Sequence, residues 1–185
     1  MERVNESSCI PKRYKVYYDR KEEVIMRKII LASASPRRKE LLERAGVDFE
    51  VLPASGDENR ISDNPGEAVK QLASDKAASV IRTMKDSADG TIVIGSDTVV
   101  VFENVILGKP HDTEDAVNTL KKLQADTHQV YTGVSVWEKK EKVWTEHTFY
   151  ESTDVTFYPV SDEEIREYVA TGAVSYTHLT LPTTP

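Results

Sequence analysis

The sequence is poor in the residues that build disulfides, thiolate metal sites and membrane spans. Its 185 residues include one cysteine, Cys9, which excludes an internal disulfide and a zinc site with several cysteine ligands. No apolar run approaches the roughly 20 residues of a membrane-spanning helix, and nothing resembles a secretory signal. These absences predict a cytoplasmic protein with no membrane partner.

The chain also has fewer basic residues than acidic ones. There are 24 lysines and arginines against 31 acidic residues, and the net charge is −7. A general nucleic-acid binder needs a basic footprint, so we expect no nucleic-acid partner. Any phosphate bound by this chain must therefore be held by a few local cations. The length suffices for one domain with a real core.

The two common glycine-rich phosphate loops are missing as well. Neither G-x-x-x-x-G-K-[ST] nor G-x-G-x-x-G occurs, which leaves no P-loop or Rossmann phosphate site. A different strand–helix junction stands out instead. Residues 28–32 predict a buried strand. Residues 36–45 predict a helix that Ser35 caps and Gly46 ends.

The first turn of this helix is cationic, with Arg37, Arg38 and Lys39. A helix N-terminus carries partial positive charge and favours acidic residues, so this turn is unfavourable unless an anion binds there. Solvent-directed arginines are the plain alternative. Arg38 also falls on the apolar face, which we expect to pack inward with Leu41, Leu42 and Ala45.

The rest of the chain alternates strand and helix patterns. Helices are predicted at 64–84 and 113–123, and a last helix follows the capping box at 161–164. Strands are predicted at 49–52, 91–94, 99–102, 105–107, 128–137, 143–150 and 153–158. The last two suggest an antiparallel meander with its first turn at 138–142.

Further charged side chains occupy places that packing alone would not choose. Lys76 lies on the apolar stripe of the second helix, and Asp97 separates two apolar strands. Snorkelling of the lysine and a β-bulge at the aspartate are the alternatives. Asp57 and Glu58 follow in a loop, and Lys109 precedes a proline. Carboxylates with cations suit a metal-bound polyphosphate, since hard oxygen ligands hold Mg²⁺ while cations neutralise phosphate.

Both ends look foreign to this domain. Residues 1–25 are polar without a clear period, and we expect a non-native or disordered extension before a natural start at Met26. Residues 173–185 lack an amphipathic period and resemble translated vector or adapter DNA. The expected domain is 26–172.

At the charged positions the chain resembles the Maf family of nucleotide pyrophosphatases, first associated with septum formation. The matching segments follow in family order: LASASPRR at 31–38, DE at 57–58, DKA at 75–77, GSDTVV at 95–100, LGKP at 107–110 and HQVYTGV at 128–134. The resemblance implies an α/β fold with a mixed, elongated sheet, flanking helices and two lobes around a central cleft, similar to inosine triphosphate pyrophosphatases.

The resemblance also implies a reaction and a site. Family members cleave nucleoside triphosphates to the monophosphate and pyrophosphate with a divalent metal, Mg²⁺ or Mn²⁺, and are cytoplasmic and often homodimeric. Asp97 would be the proton acceptor or a ligand of the metal, two roles that the sequence leaves open, and Glu58 would help to hold the metal. The implied substrate-binding residues are Ser33, Arg37, Arg38, Lys76, Lys109, His128 and Thr132. Arg37 with His128 and Thr132 resembles the branch that prefers dTTP and UTP.

One departure concerns the C-terminal end. Family members continue beyond Gly172 with a D-K-A-G-A-Y-G-I-Q-G segment that supplies strands and pocket contacts, and here residues 173–185 stand in its place. We therefore expect lower stability than in an intact member and a less complete pocket, so that the activity would belong to the parent protein.

Two other classes of function remain open on the sequence. The same site could bind nucleotide without turnover in a regulator of septum formation or cell division. Alternatively, the charges could be solvated on an α/β interaction domain, which predicts no rise in melting temperature with nucleotide.

Overall fold

A computed structural model of the chain describes residues 27–55, 62–84 and 87–172, together with two short strands near the N-terminus. The strands are β1 Tyr17–Tyr18, β2 Val24–Ile25, β3 Ile29–Leu31, β4 Glu50–Val51, β5 Ile92–Phe102, β6 Val105–Leu107, β7 Thr127–Lys140 and β8 Val143–Thr156. The helices are α1 Pro36–Arg44, α2 Pro65–Thr83, α3 Thr113–Leu123 and α4 Asp162–Ala170.

Six strands form one mixed sheet. The strand order is β4-β3-β5-β7-β8, and β6 pairs with β5 off this path. β3 runs parallel to β4 and to β5, whereas β6 is antiparallel to β5. Parallel neighbours are typical of strand–helix–strand crossovers, and α1 and α2 provide them here. The predicted mixed α/β fold is confirmed.

The chain divides into two compact units. The first comprises Met1–Gly56, Lys76–Gly95 and Val136–His147, and the second comprises Asp57–Asp75, Ser96–Ser135 and Thr148–Pro185. In the first unit Ile30, Ala32 and Val93 of the sheet pack with Ala77 and Val80 of α2. The two lobes that the family resemblance implies correspond to these two units. The central cleft that it also implies stays a prediction.

The second unit has its own apolar cluster, which joins α3 to α4. Ala116, Val117, Leu120 and Leu123 from α3 meet Phe157, Ile165 and Val169, all of them buried. Ala116, Leu120 and Leu123, which the helical period of the sequence places on one face of α3, are all buried. Ser161 caps α4 in the predicted capping box: its hydroxyl accepts from the Glu164 amide, and Glu164 accepts from the Ser161 amide.

Local turn chemistry accounts for several of the element ends. Glu103 and Asn104 both have positive φ values, 50° and 63°, which is the conformation of a two-residue hairpin between β5 and β6. Gly46 follows α1 with a φ of 69°, as a helix-terminating glycine should. Pro36 occupies the start of α1, and Ser35 has the extended backbone of a cap.

The structure corrects the predicted meander. The hairpin turn is confined to Glu141 and Lys142, both with positive φ, and the two strands predicted at 143–150 and 153–158 form one strand, β8. The residues between them include neither glycine nor proline, so nothing interrupts the extended chain. β5 likewise runs without a break through residues 95–98.

The expectation that the apolar face of α1 packs inward is wrong. Within the described chain α1 has no buried residue, and Leu41 is 56% exposed. The hydrophobic pattern is present in the sequence, but every residue of α1 is at least partly exposed.

Some predictions concern residues outside the described part of the chain. These are Cys9, the start at Met26, the carboxylates Asp57 and Glu58, and the tail at 173–185. The sequence predicts no element in the N-terminal extension. The structure has β1 and β2 there, and they pair antiparallel, with Tyr17 opposite Ile25.

Candidate functional site

The cationic start of α1 is organised around Ser33. The Ser33 side chain is buried at 6% exposure, and its hydroxyl oxygen lies 3.1 Å from Nη1 of Arg38. The same oxygen accepts a hydrogen bond from the Ser35 amide at 3.2 Å. Although Ser35 has the cap backbone, its own hydroxyl makes no capping bond in the described structure. Ser33 therefore orients both the first amide of this junction and the Arg38 guanidinium.

The remaining cations of this turn point outward. Arg37 is exposed, whereas Arg38 is half-buried. Lys39 lies 3.7 Å from Glu43 one turn later, an exposed pair that contributes little to stability. Since the first turn contains no acidic residue, this end of α1 presents positive charge from the backbone and from two arginines.

Lys76 lies on the buried line of α2. Val69, Leu72, Ala73, Ala77 and Val80 are each 7% exposed or less, as the predicted stripe requires. Lys76 follows Val69 by seven residues, which brings it back to the same face of the helix. Its side chain is half-buried.

Asp97 is a buried carboxylate in β5, with 8% exposure. Side chains alternate along a strand, so Asp97 shares a face with Val93, which packs against Ala77 and Val80 of α2.

Thr132 contacts the neighbour of Asp97 in sequence. The hydroxyl oxygens of Thr132 and Thr98 are 3.1 Å apart, which joins β7 to β5. Thr98 shares its face with Val100 and Phe102, which pack on the α3–α4 cluster. The pair therefore projects from the face opposite to Asp97.

His128 is nearly inaccessible, with 2% exposure. Its ring meets that of Phe157 edge-on, with centroids 4.6 Å apart. Burial lowers the pKa of His128, because the imidazolium would lose its hydration there. Its Nδ1 has no hydrogen-bond partner among the described atoms. His128 is thus a buried residue with a lowered pKa, packed beside the α3–α4 cluster.

The other two predicted residues lie in loops. Lys109 is exposed in the segment between β6 and α3. Glu58 lies outside the described residues. The structure thus brings Arg38 onto Ser33 and joins Thr132 to Thr98, the residue that follows Asp97. Convergence of all the predicted residues in one pocket stays a prediction.

The described residues contain no cluster of three or more His, Cys, Asp or Glu side chains that could hold a metal ion. Mg²⁺ in phosphate sites is commonly bound by only one or two carboxylates, with water and substrate phosphates completing its coordination. A single buried carboxylate such as Asp97 fits that pattern.

Thr98 and Gly133 were quoted in the sequence motifs without a role. The structure gives Thr98 the contact with Thr132. It also places Gly133 so close to α2 that a Cβ atom there would lie 2.2 Å from the Val69 carbonyl oxygen. A glycine among β-branched residues of a strand is the signal of such close backbone approach.

A known protein family matches most of this chain. A family model described as Maf-like protein aligns with residues 28–177. The chain belongs to this family. Among its curated relatives, the dTTP/UTP pyrophosphatase of Agathobacter rectalis is 47% identical over 157 residues, which are 80% of this chain and 77% of that protein.

A second relative shows the same level of similarity. The dTTP/UTP pyrophosphatase of Bacillus cytotoxicus is 46% identical over 147 residues, covering 79% of this chain and 73% of that protein. Among solved structures, a nucleoside-triphosphatase / dITP/XTP pyrophosphatase from Mycobacterium abscessus matches 70% of this chain and 72% of its own. Its identity is 14% and its TM-score is 0.44, a likeness too weak to carry an argument.

None of the helices over the described residues combines the length and apolar character that crossing a bilayer requires.

Proposed function

We propose that this Maf-family protein hydrolyses dTTP and UTP, and related or modified nucleotides, to the nucleoside monophosphate and pyrophosphate. The observation that carries the substrate assignment is 46–47% identity, over about four fifths of the chain, to relatives named dTTP/UTP pyrophosphatase. The start of α1 supports it independently, because a triphosphate supplies the anion that a cationic first turn otherwise lacks.

Ser33, Arg37, Arg38, Lys76 and Lys109 bind the triphosphate. Arg38 is aimed by its hydrogen bond to Ser33, and a guanidinium can bind two phosphate oxygens at once. The backbone amides at the start of α1 add donors that need no side chain. Lysine ammonium groups offset the charge that develops on the leaving pyrophosphate.

Asp97 is the catalytic carboxylate. It accepts the proton of the attacking water, whose oxygen forms a bond to the α-phosphorus while the bond to the bridging oxygen of the β-phosphate breaks. Burial suits this role, because a carboxylate sheltered from water is held in a fixed direction by the strand that carries it.

Asp97 and Glu58 would hold the divalent metal, Mg²⁺ or Mn²⁺. Such an ion, when bound, neutralises phosphate charge and makes water more acidic.

His128 and Thr132 were assigned to the substrate by resemblance. Direct contact of either residue with substrate stays a prediction. His128 is buried and Thr132 contacts Thr98. Both observations favour a structural role for these residues, in which they hold β7 in place. A cytoplasmic location, a homodimer and the absence of a nucleic-acid partner are part of the proposal, and net charge −7 is consistent with the last.

The test is product analysis over a panel of triphosphates with Mg²⁺. We expect monophosphate and pyrophosphate in equal amounts, with dTTP and UTP turned over faster than ATP, GTP and CTP. Nucleotide binding without any product would favour the non-catalytic regulator of septum formation instead. If no nucleotide changes the melting temperature, both the enzyme hypothesis and the regulator hypothesis are contradicted.

A further inference from the structure

β8 lies at one end of the mixed sheet. Among the described strands its neighbour in the sheet order is β7. It runs without interruption for 14 residues, and all of them except Trp144 and Val155 are exposed. A strand at the edge of a sheet offers its outward N–H and C=O groups to a further strand. β8 is therefore a surface on which another strand can pair.

The sequence of β8 lacks the usual protection of such an edge. Proteins commonly protect an edge strand with lysine, with proline, or by keeping it short. Between Val143 and Thr156 there is no lysine, arginine, proline or glycine. Phe149, in the middle of the strand, is 52% exposed, and Val143 is 63% exposed. A long edge with exposed apolar side chains is typical of an interaction surface.

Alternate side chains of β8 form a symmetric series around Phe149. Residues at every second position share one face of a strand. From position 143 to position 155 these residues are Val, Thr, His, Phe, Glu, Thr and Val. The valines and the threonines correspond across the centre, and the histidine corresponds to the glutamate. Two identical antiparallel strands related by a two-fold axis require this symmetry, because each residue of one copy meets its counterpart in the other.

A two-fold axis at Phe149 gives favourable pairs on this face. The opposing residues of the two copies are then Phe149 with Phe149, His147 with Glu151, Thr145 with Thr153 and Val143 with Val155. Aromatic pairs, pairs of threonines and pairs of a basic with an acidic residue stabilise neighbouring strands. The Glu151 carboxylate can accept a hydrogen bond from the His147 ring of the second copy.

The same axis keeps the acidic residues of the other face apart. Glu146 lies opposite the second copy's Ser152, and Asp154 lies opposite its Trp144. An axis at Tyr150 would instead set Glu146 opposite Asp154, and like charges directly opposite one another are destabilising.

An axis at Thr148 is the other neighbouring register. It would place Phe149 opposite His147 and Val143 opposite Thr153, so that neither the aromatic rings nor the valines would meet. The charges and the apolar pairs together favour the axis at Phe149.

We infer that β8 is the surface through which two copies of this chain associate, as an antiparallel pair of β8 strands with its two-fold axis at Phe149. The pair joins the two sheets at the ordinary strand spacing of about 4.8 Å. The inference rests on the homodimer that the proposed function includes, and it is independent of the proposed reaction.

The experiment is sedimentation equilibrium of the full chain over a range of concentrations. We expect the wild type to have twice the mass of one chain. Phe149→Lys and Phe149→Glu each set two like charges against one another at the axis, so each should raise the Kd of the dimer by about 100-fold or more. An equimolar mixture of the two variants should restore the dimer, because a lysine then meets a glutamate.

Val105→Lys is the matched control. Val105 is an apolar residue of β6 that is 60% exposed, so the substitution adds the same charge to an exposed strand position outside β8. Its dimer Kd should stay within about twofold of the wild-type value. Circular dichroism and melting temperature establish that each variant is folded.

The outcomes separate the inference from the proposed function. A wild type that stays monomeric, as it would if another segment of the chain covered β8, overturns both the inference and the proposed homodimer, while hydrolysis of dTTP keeps its own test. If the wild type is a dimer and Phe149→Lys is as tight as Val105→Lys, the copies associate elsewhere and only the inference is overturned. A mixture of the two Phe149 variants that stays monomeric overturns it as well.

Two threonines provide a second test, should the Phe149 variants fail to fold. Thr145 and Thr153 are both exposed, and the inferred pair brings each of them opposite the other residue of the second copy. Thr145→Lys combined with Thr153→Lys should dissociate the dimer. Thr145→Lys combined with Thr153→Glu should retain it, because each lysine then meets a glutamate. Equal dimer Kd values for the two double variants would overturn the inference.

Discussion

The guanidinium of Arg38 lies 3.1 Å from the hydroxyl oxygen of Ser33, five residues earlier in the chain. The contact spans the turn from β3 into α1, so the strand fixes the direction of an arginine at a helix N-terminus. Such an end already attracts anions through its unpaired amides.

Removing Arg38 should weaken the reaction more than removing Ser33. Hydrogen bonds to charged groups contribute about 1.5–3 kcal/mol, so we expect Arg38→Ala to lower kcat/KM for dTTP by roughly 10- to 100-fold. Ser33→Ala leaves the charge but removes its orientation, and a loss of only a few-fold is expected. Steady-state kinetics measures both.

The control for these two variants is Arg44→Ala, in the last turn of the same helix. Its kcat/KM should stay within a factor of two of the wild type. Equal losses for Arg38→Ala and Arg44→Ala would mean that only net charge matters.

Asp97→Asn should nearly abolish turnover while the protein stays folded. Replacing a general base typically lowers kcat by about 10²–10⁴, and asparagine keeps the shape of the side chain in its buried position. The exposed Asp154→Asn in β8 is the matched substitution, with wild-type turnover expected. Near-normal kcat for Asp97→Asn, measured as pyrophosphate release, would remove this carboxylate from the chemistry.

His128 should make the folded state sensitive to acid. Burial holds the pKa of His128 below its ordinary value of 6.5, so the unfolded chain binds more protons than the folded chain below that pH. Stability therefore falls as the pH drops below about 6.5, and the loss ends once the pH is below the folded pKa. One proton contributes at most about 1.4 kcal/mol per pH unit.

Urea unfolding between pH 7.5 and 5 measures this slope. His128→Gln should have a smaller slope than the wild type over the window. The exposed His147 provides the matched substitution, His147→Gln, which should leave the wild-type pH dependence in place. An unchanged slope in His128→Gln would show that other groups cause the acid sensitivity.

Ser161→Ala should destabilise the fold without affecting the site. The Ser161 hydroxyl caps α4 by accepting from the Glu164 amide, and the loss of such a cap costs about 1 kcal/mol. Hydrogen bonds from the Ser161 amide and hydroxyl also hold the pKa of Glu164 below its usual range. Denaturant unfolding would show the loss, with Ser152→Ala in β8 as the control expected to change little.

The sequence predicted well those parts of the fold that depend on local signals. The capping box at Ser161 and the helix-ending Gly46 each depend on a few adjacent residues. The break predicted inside β8 failed, because Glu151 and Ser152 are polar yet compatible with an extended chain. The inward face of α1 failed because covering a helix depends on distant segments.

The candidate site likewise has features that the sequence could predict and features that it could not. The unusual charge of the α1 first turn was visible in the sequence, and so was the position of Lys76 on the Val69 face. The sides on which Asp97 and Thr132 project were not, since they depend on how β5 and β7 pair. The approach of Gly133 to Val69 joins residues that are far apart in sequence, which periodicity cannot reveal.

The most direct test of the account is hydrolysis of dTTP in water enriched in oxygen-18, with Mg²⁺ present and the products separated by mass. The account predicts one labelled oxygen in dTMP and none in the pyrophosphate, because the water that Asp97 deprotonates attacks the α-phosphorus. Label in orthophosphate with dTDP as the other product, or in pyrophosphate, would contradict it.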